Sequence, residues 1–236
     1  MAPALRTEWL RGALVGRDGF RRTPAFPAVF ARHYYGGFEH FAPGWFLTNA
    51  TYAGYTVIAV PVGTLAMSDE VGGWLKLVGG ADGQGIQMQQ VGETWLPTAL
   101  KDIWFEASIK VDDGDDQDWF VGMASTDADI FAGDPTELIA FRGVDASANI
   151  DFQVRNGGAG AQVDTGTDMG DGTAVRLGFH VDGITRVVPY INGVAQTAVT
   201  TNIPTAEMCL TFGGRSGGTT ANGALYIDWH SELQPQ

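Results

Sequence analysis

The stretch "DIWFEASIKVDDGDDQDWFVGMAS", residues 102–125, decides how this chain is read. Ile103, Phe105, Ala107, Ile109 and Val111 recur at every second position, with Trp104, Glu106, Ser108 and Lys110 between them. Successive side chains of a strand leave on opposite faces. A period of two over nine residues therefore marks a half-buried antiparallel strand. After a polar break the chain resumes as the apolar run "WFVGMA". The break itself holds Asp112, Asp113, Asp115, Asp116 and Asp118. Five carboxylates raise the question of Ca²⁺, which takes six to eight oxygens, but Gly114 stands in the wrong place for an EF-hand and no glutamate closes the loop. The expected structure is the solvated end of a hairpin. There, short polar side chains bond nearby backbone, and like charges stay in water.

The same rhythm extends outward. "GGWLKLVGG" (72–80) sets Trp74 and Lys76 against Leu75 and Leu77, and "GIQMQQVG" (85–92) sets Ile86 and Met88 against Gln87 and Gln89. "TAVRLGFHVDG" (173–183) turns Val175, Leu177, Phe179 and Val181 one way. Asn192-Gly193 is a two-residue hairpin signal, because both positions tolerate positive φ. "ALYIDWHSEL" (224–233) places Leu225, Ile227 and Trp229 on one face and Asp228, His230 and Glu232 on the other. About a dozen strands at spacings of roughly 8–12 residues, with no helical segment long enough to cover a sheet, predict an all-β antiparallel sandwich of two sheets, a jelly roll.

Composition sets outer limits. The chain has 236 residues, 33 of them Gly, and a net charge of −13. An acidic body repels phosphate backbones, which argues against nucleic acid as a partner. Cys209 stands alone, so an intrachain disulfide is excluded, and no apolar run is long enough to cross a membrane as a helix. The first stretch, "MAPALRTEWLRGALVG", lacks the apolar centre of a signal peptide, so synthesis and use without export are expected.

The charge is uneven. Residues 1–36 hold six Arg against Glu8 and Asp18, a net of +4, which leaves −17 on the other 200 residues. Leu5, Trp9 and Ala13 have helical spacing and predict a short helix before Gly16. The division expected is a docking arm, 1–36, on a sandwich body, 37–236. The arm's contact residues would be Arg6, Trp9, Arg11, Arg17, Phe20, Arg21, Arg22, Phe26, Phe30, Arg32, Tyr34 and Tyr35. Its arginines would meet acidic surfaces and its aromatics would be buried as anchors.

Candidate chemistry is sparse. Asp228, His230 and Glu232, spaced by two, form the best catalytic-looking trio, since acid catalysis of glycoside cleavage uses paired carboxylates in a groove. The bland reading places them on the wet face of a last strand. His33, His40, His180 and His230 fall at no ligand spacing, and no nucleophile elbow or phosphate-cradling loop is present. The expectation is no catalytic residue, no cofactor and no metal. Trp45, Trp74, Trp95, Trp104 and Trp119 allow a second class of function, stacking of sugars on outward aromatics; otherwise they fill the sandwich or an interface.

The pieces "FEASIKV", "FVGMA", "LGFHVDG", "YINGVAQ", "TNIP" and the final "LYIDWHSEL", in that order, resemble the concanavalin-like jelly-roll domains of tailed-bacteriophage virion proteins. The resemblance spans residues 70–235. It implies a structural, non-enzymatic component of a phage particle: a decoration protein on the outer surface of the head, made in the host cytoplasm. Such a protein would bind the major capsid protein lattice and itself, as a homotrimer. The alternative is a lectin-like virion module that attaches to a host-surface glycan.

Overall fold

The computed structural model describes residues 54–68, 73–218 and 223–235, together with the backbone of strands Arg6–Leu10, Ala13–Arg17, Tyr34–His40 and Thr51–Tyr52. In chain order the strands begin β1 (Arg6–Leu10), β2 (Ala13–Arg17), β3 (Tyr34–His40), β4 (Thr51–Tyr52), β5 (Tyr55–Val60) and β6 (Gly63–Met67). There follow β7 (Leu75–Gly79), β8 (Gly85–Gln90), β9 (Ile103–Val111), β10 (Gln117–Ala124), β11 (Leu138–Val144) and β12 (Ser147–Asn156). The last six are β13 (Ala159–Asp168), β14 (Val175–Asp182), β15 (Arg186–Ile191), β16 (Val194–Ala195), β17 (Cys209–Ser216) and β18 (Ala224–Pro235). Two large sheets result. The first runs β13-β12-β11-β10-β17-β8-β5-β4 and the second β16-β15-β14-β9-β18-β7-β6, with β3 also paired to β18. Every pairing is antiparallel, so the expected two-sheet sandwich is the observed fold.

The inner faces are the alternating apolar positions of the sequence. On β9, Ile103, Phe105, Ala107, Ile109 and Val111 are all buried, and on β14 Val175, Leu177, Phe179 and Val181 are their counterparts. Facing them from the first sheet are Met88, Val121, Met123, Phe141, Phe152 and Phe212. The layers touch through aromatics: Phe105 and Phe212 have ring centroids 6.4 Å apart, and Phe152 and Phe179 6.0 Å. Each fully buried Phe or Leu contributes about 1.5–3 kcal/mol, which lets the sandwich stand without cross-links. At the β15–β16 turn Asn192 and Gly193 take φ of 51° and 80°, as that hairpin requires.

Three expectations are corrected. The acidic loop after β9 is not a hairpin end, because β9 lies in the second sheet and β10 in the first; it is an arch between layers. Residues 6–10 and 13–17 form the two-stranded pair β1–β2, with Trp9 opposite Leu14, rather than a short helix. Only Arg11 and Gly12 separate the two strands in sequence, a hairpin spacing that outweighs three apolar residues at helical period. On β18 the pairing with β9 slips between Ile227 and Trp229. That bulge inserts one residue and reverses the faces beyond it. Leu225 and Ile227 are core, His230 and Glu232 continue the inward face, and Trp229 turns outward.

Of the proposed arm residues, Arg6 and Trp9 lie on β1, Arg17 on β2, and Tyr34 and Tyr35 on β3; Arg11, Phe20, Arg21, Arg22, Phe26, Phe30 and Arg32 lie outside the described residues. β3 spans the expected boundary at 36/37 and pairs with β18, Tyr35 opposite Gln234.

Candidate functional site: the outer face of the second sheet

The two outer faces differ. That of the first sheet is covered over its middle by residues 125–137. Gln87 Nε2 donates to the Asp127 carbonyl at 2.6 Å, while Ile130 N and Asp127 N donate to Gln87 Oε1 and Gln89 Oε1 at 2.9 and 3.0 Å. The Ile130 side chain completes a second small core with Phe120, Ala124, Leu138 and Ala140. Gly213 makes room for it: a Cβ there would stand 2.5 Å from Ile130 Cδ1. Asp134 ties the segment to Arg142 and Arg155 on β11 and β12. Burial works against the Asp134 carboxylate, yet a hydrogen bond from Gln153 and the two guanidinium groups hold its pKa below the usual value.

The outer face of the second sheet carries aromatic and charged side chains in cross-strand rows. Strand register places Lys76, Tyr226 and Lys110 in the first row, and Trp229, Ser108 and Arg176 in the second. Ser231, Glu106, Gly178 and Tyr190 form the third, and Leu233, Trp104, His180 and Val188 the fourth. Neighbouring rows are about 7 Å apart, two residues of strand rise. The Trp104 and His180 rings stack at 3.7 Å and 8°. Lys110 Nζ lies 5.0 Å from the Trp74 ring and 4.7 Å from that of Tyr226, whose hydroxyl donates to Asp112 Oδ1 at 2.8 Å. His180 Nε2 stands 3.2 Å from Asp102 Oδ2.

Glu106 is the unusual member. It is outward-facing yet only 7% exposed. Its Oε1 lies 2.6 Å from Arg176 Nε, an ion pair whose N–H is not aimed for a hydrogen bond, and its Oε2 is buried without a hydrogen-bond partner. Burial raises its pKa to about 7, and the Arg176 charge offsets only part of that. Gly178 beside it has no side chain: a Cβ there would meet Phe105 O at 2.9 Å and Glu106 Cγ at 3.3 Å. The face thus pairs a carboxyl that titrates near neutrality with a guanidinium, between half-buried rings.

The trio singled out in the sequence is dispersed by the bulge. His230 Nδ1 meets Glu232 Oε2 at 2.9 Å and its Nε2 meets the Tyr55 hydroxyl at 3.0 Å, inside the sandwich, while Asp228 occupies the bulge. This is a polar clasp between sheets. Trp95 and Trp119 are fully buried, Trp74 and Trp104 are half-buried on the outer face, and Trp45 lies outside the described residues. Among the described residues no three His, Cys, Asp or Glu side chains are grouped to hold a metal ion. Sequence reading passed over Glu106 and Arg176. The signal available was a glutamate flanked by Phe and Ala on a strand whose every other outward residue is aromatic, hydroxylic or basic.

No known family and no curated protein matches the sequence. Solved structures do match the fold. An endo-1,3-β-glucanase from Streptomyces sioyaensis superposes with a TM-score of 0.63 at 11% identity, over 91% of this chain and 99% of that one. A β-1,3-1,4-glucanase (lichenase) from a mouse hindgut metagenome gives 0.58 at 12%, over 85% and 98%. The carbohydrate recognition domain of Emp47p gives 0.57 at 8%, over 87% and 99%. The expectation that the chain is no enzyme is corrected here. It treated the sandwich as a scaffold for structural proteins, whereas the same sandwich is nearly the whole of a glucanase and a lichenase. At these identities the likeness establishes architecture: the chain is a concanavalin-like jelly roll.

Proposed function

We propose that this chain is a carbohydrate-binding jelly-roll module whose binding surface is the outer face of the second sheet. The observation that carries the reading is the set of rows just described, in which Trp104, His180, Trp229, Tyr226 and Tyr190 alternate with Glu106, Arg176, Ser108 and Ser231. Aromatic rings supply apolar area for sugar C–H faces, and the polar groups between them meet hydroxyls. The solved neighbours support it, because two act on glucans and one is a carbohydrate recognition domain. A glycan array probed with the full chain tests it. Binding is expected, and Trp104→Ala and Trp229→Ala should each lower it by at least about tenfold. Binding that survives both changes refutes the site. Reducing-sugar release, measured beside the array, decides whether the face also cleaves; Glu106 is placed to deliver a proton there.

A second reading keeps the chain as a virion subunit that docks by its leader. It rests on the +4 of residues 1–36 against the −17 that follows, and on β3 seating the end of the leader against β18. Removing residues 1–33 should leave a folded sandwich that no longer joins particles; unchanged incorporation refutes it. The two readings are compatible, since a particle-borne module can carry a glycan-binding face.

A further inference from the structure

We propose that the glycan bound by this face carries oxyanion groups, a uronic-acid carboxylate or a sulfate ester, and that the terminal edge of the Arg176 guanidinium receives one. The inference rests on the glycan-binding reading above and adds the chemical class of the ligand.

The first ground is the donor count. A guanidinium offers five N–H donors in a planar fork that matches two-oxygen anions. Arg176 turns its side edge to Glu106 in an ion pair, with Nε 2.6 Å from Oε1. Its Nη groups make no hydrogen bond with any described residue, and the side chain is 22% exposed. A fork with its end open, in the row of Trp229, one row from Tyr190 and two from Trp104, is a ready-made anion contact.

The second ground is charge. Beyond the leader the chain has eight cationic residues. Arg142 and Arg155 are bound to Asp134, Arg215 to Asp118 and Arg186 to Asp182, and Lys101 precedes β9. Lys76, Lys110 and Arg176 all lie on the outward rows described here, where Glu106 is the one carboxylate. Asp102 and Asp112 stand beyond the row ends and Asp228 sits in the bulge. Asp112 against Tyr226 and Asp102 against His180 balance the lysine charges at this face, and Arg176 is the guanidinium set among the aromatic rows.

The third ground is the restraint on Arg176. The groups facing Glu106 are Arg176 and Gly178 from β14, Ser231 and Trp229 from β18, and Trp104 and Ser108 on its own strand, with His180 and Lys110 a step further on each side. Arg176 is the charge in contact. Proton uptake by Glu106 removes the guanidinium's counter-charge and leaves it to the ligand, so acidic glycans should bind more tightly as the pH falls through 7.

The test is titration calorimetry of the full chain with an oligogalacturonate, a sulfated galactan oligosaccharide and a neutral β-glucan oligosaccharide, at pH 5.5 and 8. The acidic ligands should bind about tenfold more tightly than the neutral one at pH 5.5, the worth of one charge-assisted contact. Preference for galacturonate over sulfate assigns the fork to a carboxylate; the reverse assigns it to sulfate. Arg176→Gln should abolish the preference, lowering acidic-glycan affinity about tenfold more than neutral-glycan affinity. Arg176→Lys, which keeps the charge and loses the fork, should keep part of it if Arg176→Gln does not fold. Glu106→Gln should keep the preference and flatten its dependence on pH. Neutral binding equal to acidic binding, or a preference surviving in Arg176→Gln, overturns the inference and leaves the glycan-binding reading standing. No binding of any of the three overturns both.

Discussion

Glu106→Gln isolates one buried carboxyl whose energetics follow from its surroundings. Burial takes Glu106 from its ordinary pKa of 4.5 to about 7, with Arg176 pulling the other way. A folded-state value above the unfolded one means that the folded chain holds the proton more tightly. The associated stability is therefore fully present below pH 4.5 and is lost as the pH rises through 7. At about 1.4 kcal/mol for each pKa unit, the 2.5-unit rise corresponds to about 3 kcal/mol. The assay is chemical denaturation of wild type and Glu106→Gln at half-unit steps from pH 4 to pH 8.5. Other carboxylates titrate alike in both proteins and cancel in the difference. Wild-type stability minus variant stability should fall by about 3 kcal/mol across the range, with most of the change between pH 4.5 and 7. A flat difference would show that burial does not control this carboxyl. A difference that rises with pH would show that the Arg176 ion pair outweighs burial, and the reasoning would be wrong in sign.

Tyr55→Phe removes the hydroxyl that meets His230 Nε2 between the sheets and should cost about 1 kcal/mol, read by urea denaturation. Gly213→Ala puts a methyl group against Ile130 and should destabilise by about 1–3 kcal/mol, with faster amide exchange at residues 126–132. Asp134 is held below its usual pKa, so its contribution is present above 3.8 and is lost as acid protonates the folded carboxylate. Exchange in residues 125–137 should rise at low pH before the sheets open, and Asp134→Asn should show the same loosening at neutral pH. Deleting Asp228 removes the inserted residue and leaves Ile227 inward, Trp229 outward and His230 inward in regular alternation. The near-ultraviolet circular dichroism should therefore be kept, and a changed aromatic signal would refute the bulge assignment.

What was legible in the sequence was what strand period controls. Ile103 to Val111 announced both a strand and its buried face, and Asn192-Gly193 announced its turn. What was hidden depended on partners distant in the chain. "IKVDDGDDQDW" reads the same whether the flanking strands pair with each other or join different layers, and pairing of β9 with β14 and β18 decides it. "LYIDWHSEL" alternates without interruption in sequence, yet one unpaired residue at the bulge sent His230 and Glu232 inside and Trp229 out. Gln87 and Gln89 alternate with Ile86 and Met88, and their role as pins for residues 125–137 required knowing what lies over them. Glu106 was placed on its outward face by period two, but its burial comes from neighbours on other strands.

The most direct test is an amide-exchange footprint of the full chain with and without its best-binding glycan from the array. The account predicts protection concentrated on β9, β14 and β18, around Trp104–Lys110, Arg176–His180 and Trp229–Leu233. Protection over residues 125–137, or none on the second sheet at saturation, would contradict it.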